Sequence, residues 1–410
     1  MMGAAKTIVL KEQFSIRHFL STLPNMQRYD YIMAGAGAAG LSLAYHLAQT
    51  PLRDKAILLV DKAPKTENDH TWCFWERGDG PFEPVVCRQW KDVYFYGAGY
   101  DALMDLDGYR YKMIRAADFY PFVRRELEKL PNVHWVYGDI AAVRDEPDGA
   151  SVVVDGKTYA GNWLFDSRFG LSSLARRPGR HYLLQHFKGW EVEADGPVFD
   201  PGKATLMDFR IEQHGETRFF YVLPFDERRA LVEFTVFSPD LLTDAYYEGE
   251  VARYLRDFLG LDAYRVLHKE FGVIPMTDHP FPVQQGKHVI LTGTAGGQTK
   301  ASTGYTFRRV QQHSKALAEA LLTTGRPYVT GGFKGQFALY DSMLLNVMAR
   351  NRYPVKEIFT LLFQKNPPAR ILKFLDEDTS FAEDLQIMST TPYAPFLAAL
   401  WDVVRNRVMA

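Results

Sequence analysis

Gly35, Gly37 and Gly40 stand at the spacing G-x-G-x-x-G within residues 29–47, after a short apolar run and before a helix-like one. Gly35 permits a tight turn. Gly37 lets backbone approach a pyrophosphate with no Cβ between, and Gly40 lets the helix pack closely on the strand. The free N–H groups around Ala38, at the positive end of the helix dipole, then face phosphate oxygens. Asp61 closes the aliphatic run 56–60. It falls roughly 20 residues past the last glycine, where such a unit places the acid that holds a ribose. An acid there suits a free 2′-hydroxyl, which favours FAD or NAD over NADP. The plainer reading is an ordinary strand–helix–strand unit ending in Asp, and the agreement of turn, helix and acid weighs against it.

A second kind of chemistry rests on one carboxyl. Glu233 lies in the apolar run 230–234 and shares a strand face with Leu231. A strand glutamate ordinarily faces water, but this face is otherwise apolar, so Glu233 is expected to point inward. A carboxyl desolvated there holds its proton to higher pH, as a general acid requires. Asp208 is a weaker candidate, better read as an ion-pair partner of Arg210 or as a turn residue. A further glycine-rich turn, with Gly293, Gly296 and Gly297, could bring backbone up to a cofactor.

The elements that must position these residues read as an α/β protein. The expected architecture is a Rossmann-type FAD-binding domain with an inserted antiparallel β-sheet substrate domain and a helical C-terminal region. The expected boundaries are an extension at 1–25, the nucleotide domain at 26–180, the sheet domain at 181–281, the nucleotide domain's return at 282–330, and helices over 331–410. Residues 62–80 read as a polar loop dense in aromatics, and 90–96 and 109–114 as strands. Arg115 opens a helix over 119–130 with Pro121 in its first turn. Strands follow at 133–137 and 163–165, the latter ending at Asp166, with a hairpin over 142–154 between them. From 185 to 237 four segments of period-two character read as strands, followed by a helix at 246–258 and an edge or crossover strand at 271–275. A strand at 288–292 and a helix at 307–323 complete the nucleotide domain. The remaining helices break at Pro354, Pro367–Pro368 and Pro392.

Composition sets the outer bounds. The chain has 410 residues, is 47% hydrophobic and carries a net charge of −1, which supports a large core and gives no reason to expect nucleic acid. Its two cysteines, Cys73 and Cys87, form no C-x-x-C and suit a reducing compartment. His268, His279 and His288 lack metal-ligand spacing. Residues 31–52 carry no charge but are interrupted by three glycines and several polar residues, so they read as the nucleotide unit and not as a membrane span. Residues 1–25 do not resemble a signal peptide and read as an optional extension.

Taken in order, several short segments resemble the flavin-dependent lycopene β-cyclase family, related to the flavin monooxygenase-like FAD-binding fold, from about residue 26 onward. They are GAGAAG with Asp61, DHTWCFW at 69–75, FDSR at 165–168, QHFKGW at 185–190 and MDFR at 207–210. FYVLP at 220–224, LVEFT at 231–235, and GTAGG at 293–297 with STGY at 302–305 complete the set. The resemblance implies FAD, with NAD(P)H as reductant, and no net oxidation while the linear ψ-ends of lycopene close to β-ionone rings. It implies Glu233 as catalytic acid, and Tyr221, Phe234, Thr235 and Tyr305 at the substrate pocket. Arg115, Asp166, Gly293, Gly296 and Gly297 join Gly35, Gly37, Ala38, Gly40 and Asp61 around the cofactor.

The plant-type members carry two adjacent acids, and here the second is Phe234. Phe219, Phe220, Tyr221, Phe234 and Phe237 read equally as a polyene tunnel or as aromatic strand core. Two alternatives stay open: a FAD-dependent monooxygenase or dehydrogenase on a small or prenyl substrate, and a flavin-binding module without chemistry. Gly293-Thr294 departs from the Gly-Asp of related flavin hydroxylases, which weakens the first. A polyene resides in membrane, so a cytoplasmic, peripheral membrane protein is expected. Its contact would be the apolar stretches 358–363, 371–375 and 396–401, which could equally cap a core. Other carotenoid enzymes are further candidate partners.

Overall fold

Strand β1 (Arg28–Ala34) carries the chain into the interior, and its last four residues are buried. The computed structural model describes residues 28–174, 176–329 and 335–409, so the extension expected at 1–25 lies outside them. Gly35 turns the chain at φ +104° into helix α1 (Ala38–Ala48). The chain returns as β2 (Ile57–Asp61), parallel to β1. This unit nucleates an eight-stranded sheet. Its parallel core is β18 (Val289–Leu291), β11 (Lys157–Asp166), β1, β2 and β8 (Val133–Tyr137), with β17 (Gln284–Gln285) at one edge. The hairpin β9 (Ile140–Glu146) and β10 (Gly149–Val154) joins antiparallel to β11.

The segment between β2 and β8 differs from the sequence expectation in three ways. Residues expected as an aromatic loop contain strand β3 (Thr71–Arg77) of a three-stranded sheet. The run expected as one strand over 90–96 breaks at Lys91. Its first part, β4 (Arg88–Trp90), pairs with β7 (Tyr109–Arg115), and its second, β5 (Asp92–Tyr96), pairs with β6 (Asp101–Asp105) in another sheet. Helix α2 (Ala116–Leu127) starts directly after β7, so Pro121 lies inside the helix rather than in its first turn.

The second large sheet has seven strands. Their order is β16 (Tyr264–Thr277), β12 (Tyr182–Ala194), β15 (Arg229–Ser238), β14 (Thr217–Pro224), β13 (Lys203–Asp208), β5 and β6. Thus two of its strands come from before residue 180. Helix α3 (Asp244–Asp257) covers one face, with Tyr247, Val251 and Tyr254 packed on Phe220, Val232 and Phe234. Asp208 is fully buried beneath it, accepting from Arg210 Nε at 2.9 Å and Tyr254 Oη at 2.6 Å, the ion-pair role expected of it.

The other face is enclosed by the three-stranded sheet and by helices that follow α4 (Phe307–Thr324) and α5 (Gly335–Ala349). These are α6 (Val355–Lys365), α7 (Pro368–Leu375) and α8 (Phe381–Met388), while α9 (Tyr393–Met409) packs outside them on α5 and α6. Trp75 Nε1 donates to Leu372 O at 3.2 Å, and the Phe95 and Phe363 rings lie 4.8 Å apart. Burying side chains such as Phe359, Phe363, Ile371 and Leu372 stabilises by about 1.5–3 kcal/mol each. The stretches 358–363 and 371–375 are therefore core caps and not a membrane face. A break after Leu375 that the prolines do not mark is made by Ser380 and Glu383, which form a reciprocal capping box. No helix among the described residues is long and apolar enough to cross a membrane.

Candidate active site

The glycines at 35, 37 and 40 each do something different in space. A Cβ on Gly40 would lie 2.0 Å from the Gly35 carbonyl oxygen, so this contact joins α1 to the turn. A Cβ on Gly35 would meet Ser167 Oγ at 2.5 Å, and its positive φ disfavours any side chain. Gly37, by contrast, has nothing within 4 Å of a Cβ position and caps α1 with no side-chain bond. Open space thus stands before uncapped helical N–H groups, with no acidic residue in the first turn. Asp61 Oδ2 accepts from Ala36 N at 2.8 Å, so the acid steadies the turn itself. A carboxylate has lone pairs to spare for a hydroxyl.

Gly293, at φ +60°, brings the second glycine turn against α1, 3.0 Å from Ala39 Cβ by its Cβ position. Gly296 ends the short 3-10 turn there and Gly297 follows it. Thr292 N donates to Asp166 O at 2.9 Å, fixing this turn to the end of β11. The buried oxygens Thr292 Oγ1 and Gln298 Oε1 have no protein hydrogen-bond partner among the described residues. Leaving such atoms unpaired costs about 1–3 kcal/mol each, so a ligand with hydroxyl or N–H donors fits this turn. The Asp166 carboxylate is held by Arg168, at 2.9 Å from Nε and 2.7 Å from Nη2. Arg115 pairs with Asp118 at 2.9 Å and lies in register with Thr71, so neither of these contacts is in a glycine turn.

From the second turn the chain runs through a loop to Tyr305, fixed by Lys300 N to Tyr305 O at 3.0 Å and Gly304 N to Lys300 O at 2.8 Å. Tyr305 stands edge-on to Trp75, ring centroids 4.7 Å apart, with its hydroxyl close enough to Tyr221 for each to shift the other's proton affinity. Tyr221 is directly opposite Glu233 across β14 and β15. The second glycine turn is therefore linked to the strand glutamate through Tyr305 and Tyr221.

Glu233 has a partner that the sequence reading did not foresee. Gly189, in the middle of β12, is paired with Glu233 on one side and Glu270 on the other. Directly opposed residues project to the same face, so the three form one row whose centre has no side chain. Strands two apart lie about 9–10 Å from each other. The two glutamates lean across the gap and hydrogen-bond to each other. Thr235 Oγ1 donates to Glu233 at 3.1 Å, and Thr71 Oγ1 donates to Glu270 at 2.8 Å. Cys73, which feels the charge of both glutamates, and Tyr111 beside it complete the surroundings.

Burial pushes the Glu233 carboxyl well above the ordinary glutamate range. The charge of Glu270 and the bond to it push the same way, against a weaker downward pull from Thr235. Burial also raises the Tyr221 and Tyr111 hydroxyls and takes Tyr305 up to about 12, so all three stay protonated at neutral pH. The Cys73 thiol is raised by burial as well, which makes it a poor nucleophile.

Of the pocket residues expected from sequence, Tyr221 and Thr235 neighbour Glu233 and Tyr305 stands beyond Tyr221, while the aromatic pair Phe219 and Phe237 lies further along the same face. Phe234 does not. Alternation turns it to the opposite face, where its ring stacks on Phe220 at 5.1 Å beneath α3. Glu270 was missed because the edge or crossover strand was expected only over 271–275, whereas it begins at Tyr264 and Glu270 lies within it. The signal was Gly189, since a glycine inside a strand marks a close approach.

Comparison with known proteins decides the family. The chain matches the family model described as lycopene cyclase protein over residues 30–401. The chain belongs to the lycopene cyclase family. Curated relatives include the lycopene beta-cyclase of Pantoea ananas, 25% identical over 91% of this chain and 97% of that protein. The lycopene beta-cyclase of a Paracoccus species is 26% identical over 91% of this chain and 96% of its own. Among solved structures, a flavoprotein/dehydrogenase from Cytophaga hutchinsonii superposes with TM-score 0.60 at 13% identity, covering 93% of this chain and 100% of that one. A geranylgeranyl bacteriochlorophyll reductase-like protein from Thermoplasma acidophilum superposes with TM-score 0.59 at 14% identity, covering 92% and 100%. These structures establish that this family member has the flavoprotein fold, with its helical C-terminal region.

Proposed function

We propose that this protein is a lycopene β-cyclase in which Glu233 protonates the substrate. The observation that carries the reading is the Glu233–Glu270 pair, in which burial and the second carboxyl make Glu233 hold its proton well above the ordinary glutamate range, with Tyr221 opposite it across the sheet. Glu233 gives its proton to C2 of the C1=C2 bond. The C5=C6 π-bond attacks the cation at C1, and loss of a proton from C6 leaves the β-ring. The carboxyl pair, one proton short after the first transfer, is the base that recovers it, so each ring forms without net redox change. An alkene is a weak base, so water must be kept out and positive charge must be stabilised. The aromatic faces of Phe219, Tyr221 and Phe237 supply part of that.

The reading includes FAD, with its pyrophosphate at Gly35, Gly37, Ala38 and Gly40, a ribose at Asp61 and the remainder along Gly293 to Gly297. Reduced by NAD(P)H, bound flavin supplies electron density that stabilises positive charge. Expression in lycopene-accumulating cells tests the function. Lycopene should give way to γ-carotene or β-carotene, and recovery of lycopene alone, or of an oxygenated product, would refute it.

A lipid surface is the proposed source of substrate. Tyr393, Leu397 and Trp401 form a stripe on α9 that is 67%, 63% and 70% exposed, and Phe381 and Leu385 of α8 are exposed as well. Of the three stretches expected to touch membrane, only 396–401 contributes, through Leu397 and Trp401. Replacing both by Ser should lower vesicle co-sedimentation by about tenfold or more without changing thermal stability. Unchanged binding would remove α9 from the contact.

A further inference from the structure

We propose that Glu270 is a positioning residue that keeps the catalytic proton on Glu233, and that Gly189 is the gap through which it does so. This rests on Glu233 being the acid. Three observations converge. The strand register places Glu233, Gly189 and Glu270 in one row on the enclosed face. A Cβ on Gly189 would stand 2.9 Å from Glu270 Cγ and 3.0 Å from Leu231 Cδ1, so even alanine would push Glu270 out of line. Thr71 Oγ1, from the three-stranded sheet, donates to the outer oxygen of Glu270 at 2.8 Å and leaves its other oxygen for Glu233.

Two carboxyls this close cannot both ionise cheaply, so the pair retains a proton where a lone glutamate would release it. Thr71 holds Glu270 as an acceptor and thereby aims the shared proton at Glu233. Glu270 itself is buried and adds no exposed group to the pocket. The groups facing Glu233 are Glu270 from β16, Thr235 from its own strand, Tyr221 from β14, and Cys73 from β3, with Tyr305 one step further off beyond Tyr221 and Cys73. Glu191, two residues beyond Gly189 on β12, and Arg229, four residues from Glu233 on β15, neutralise each other at 2.6 Å. No cation touches Glu233 among the described residues, so Glu270 is the neighbour whose charge sets its proton affinity.

The test is infrared titration of the protonated-carboxyl band in the full chain, read beside the pH profile of cyclisation. The wild-type band should persist well above the ordinary glutamate range of about 4.3 and vanish in Glu233→Gln. Glu270→Gln should keep the band but move its titration down by one pH unit or more. The basic limb of activity should move the same way, so that at a fixed pH on that limb activity falls about tenfold per unit. Gly189→Ala should shift both in the same direction, and Glu270→Asp should restore part of the difference. Band and limb unmoved in folded Glu270→Gln would overturn the proposal. Should that variant not fold, an unmoved titration in Gly189→Ala would do the same. A Glu233→Gln protein that still cyclises would instead refute the reading on which the inference rests.

Discussion

Glu233→Gln should lower the rate of ring closure by about 10²–10⁴-fold, the range that a positioned general acid contributes. The amide has nearly the shape of the carboxyl, and it can still accept from Thr235 Oγ1. It has no proton to give an alkene. Thermal stability and flavin content should therefore stay close to wild type while product disappears, which separates chemistry from folding. The pH dependence follows from the direction of the shift. Because burial and Glu270 raise the carboxyl, the active, protonated form survives to higher pH than a free glutamate would. Activity should hold to higher pH than an ordinary glutamate acid would allow and then fall as Glu233 ionises. The same shift bears on stability. A carboxyl whose proton affinity rises on folding opposes folding more as pH climbs above the ordinary glutamate range, because the unfolded chain releases that proton at lower pH than the folded chain. A wild-type protein that loses activity below pH 6 through a group resembling an ordinary glutamate would argue for a base and against an acid.

Gly40→Ala should be the most damaging single methyl in the nucleotide domain. Alanine is the better helix former by about 1 kcal/mol, so an isolated α1 would gain. Here the methyl would stand 2.0 Å from the Gly35 carbonyl, far inside any real contact, and relief requires α1 and the turn to separate. Overpacking of this kind costs about 1–3 kcal/mol, and backbone, unlike a flexible side chain, gives way poorly. The clash wins. Thermal unfolding should move down by several degrees, and flavin titration should show affinity reduced by about tenfold or more. Wild-type values for both would mean that the close approach of helix and turn carries no function.

The parts of the molecule legible in the sequence are those written in local pattern. The glycine turn, the parallel core around β1, the hairpin β9–β10 and the alternating strands of the seven-stranded sheet are found within a few residues of where the pattern puts them. The misreadings share a cause, which is that tertiary pairing is not local. Lys91 lies in an unbroken β-like run, yet it is where the chain leaves one sheet for another. The aromatics at 72–75 look like a loop cover but alternate between two cores as a strand, Trp72 and Phe74 toward α1 and α2 and Trp75 toward α7. Phe234 is next to Glu233 in sequence and on the opposite face in space. Glu270 is 37 positions from Glu233 by residue number, and only the register through Gly189 brings them together.

The most direct test is a single-turnover reaction under anaerobic conditions, with reduced holoenzyme in D₂O in excess over lycopene and the product weighed by mass spectrometry. An exchangeable carboxyl that donates to carbon should leave one deuteron in each new ring, with carbon and oxygen content unchanged and NAD(P)H consumed well below one per ring. A cyclised product free of deuterium, or one formed only as NAD(P)H is consumed ring for ring, would contradict proton donation by the Glu233 pair.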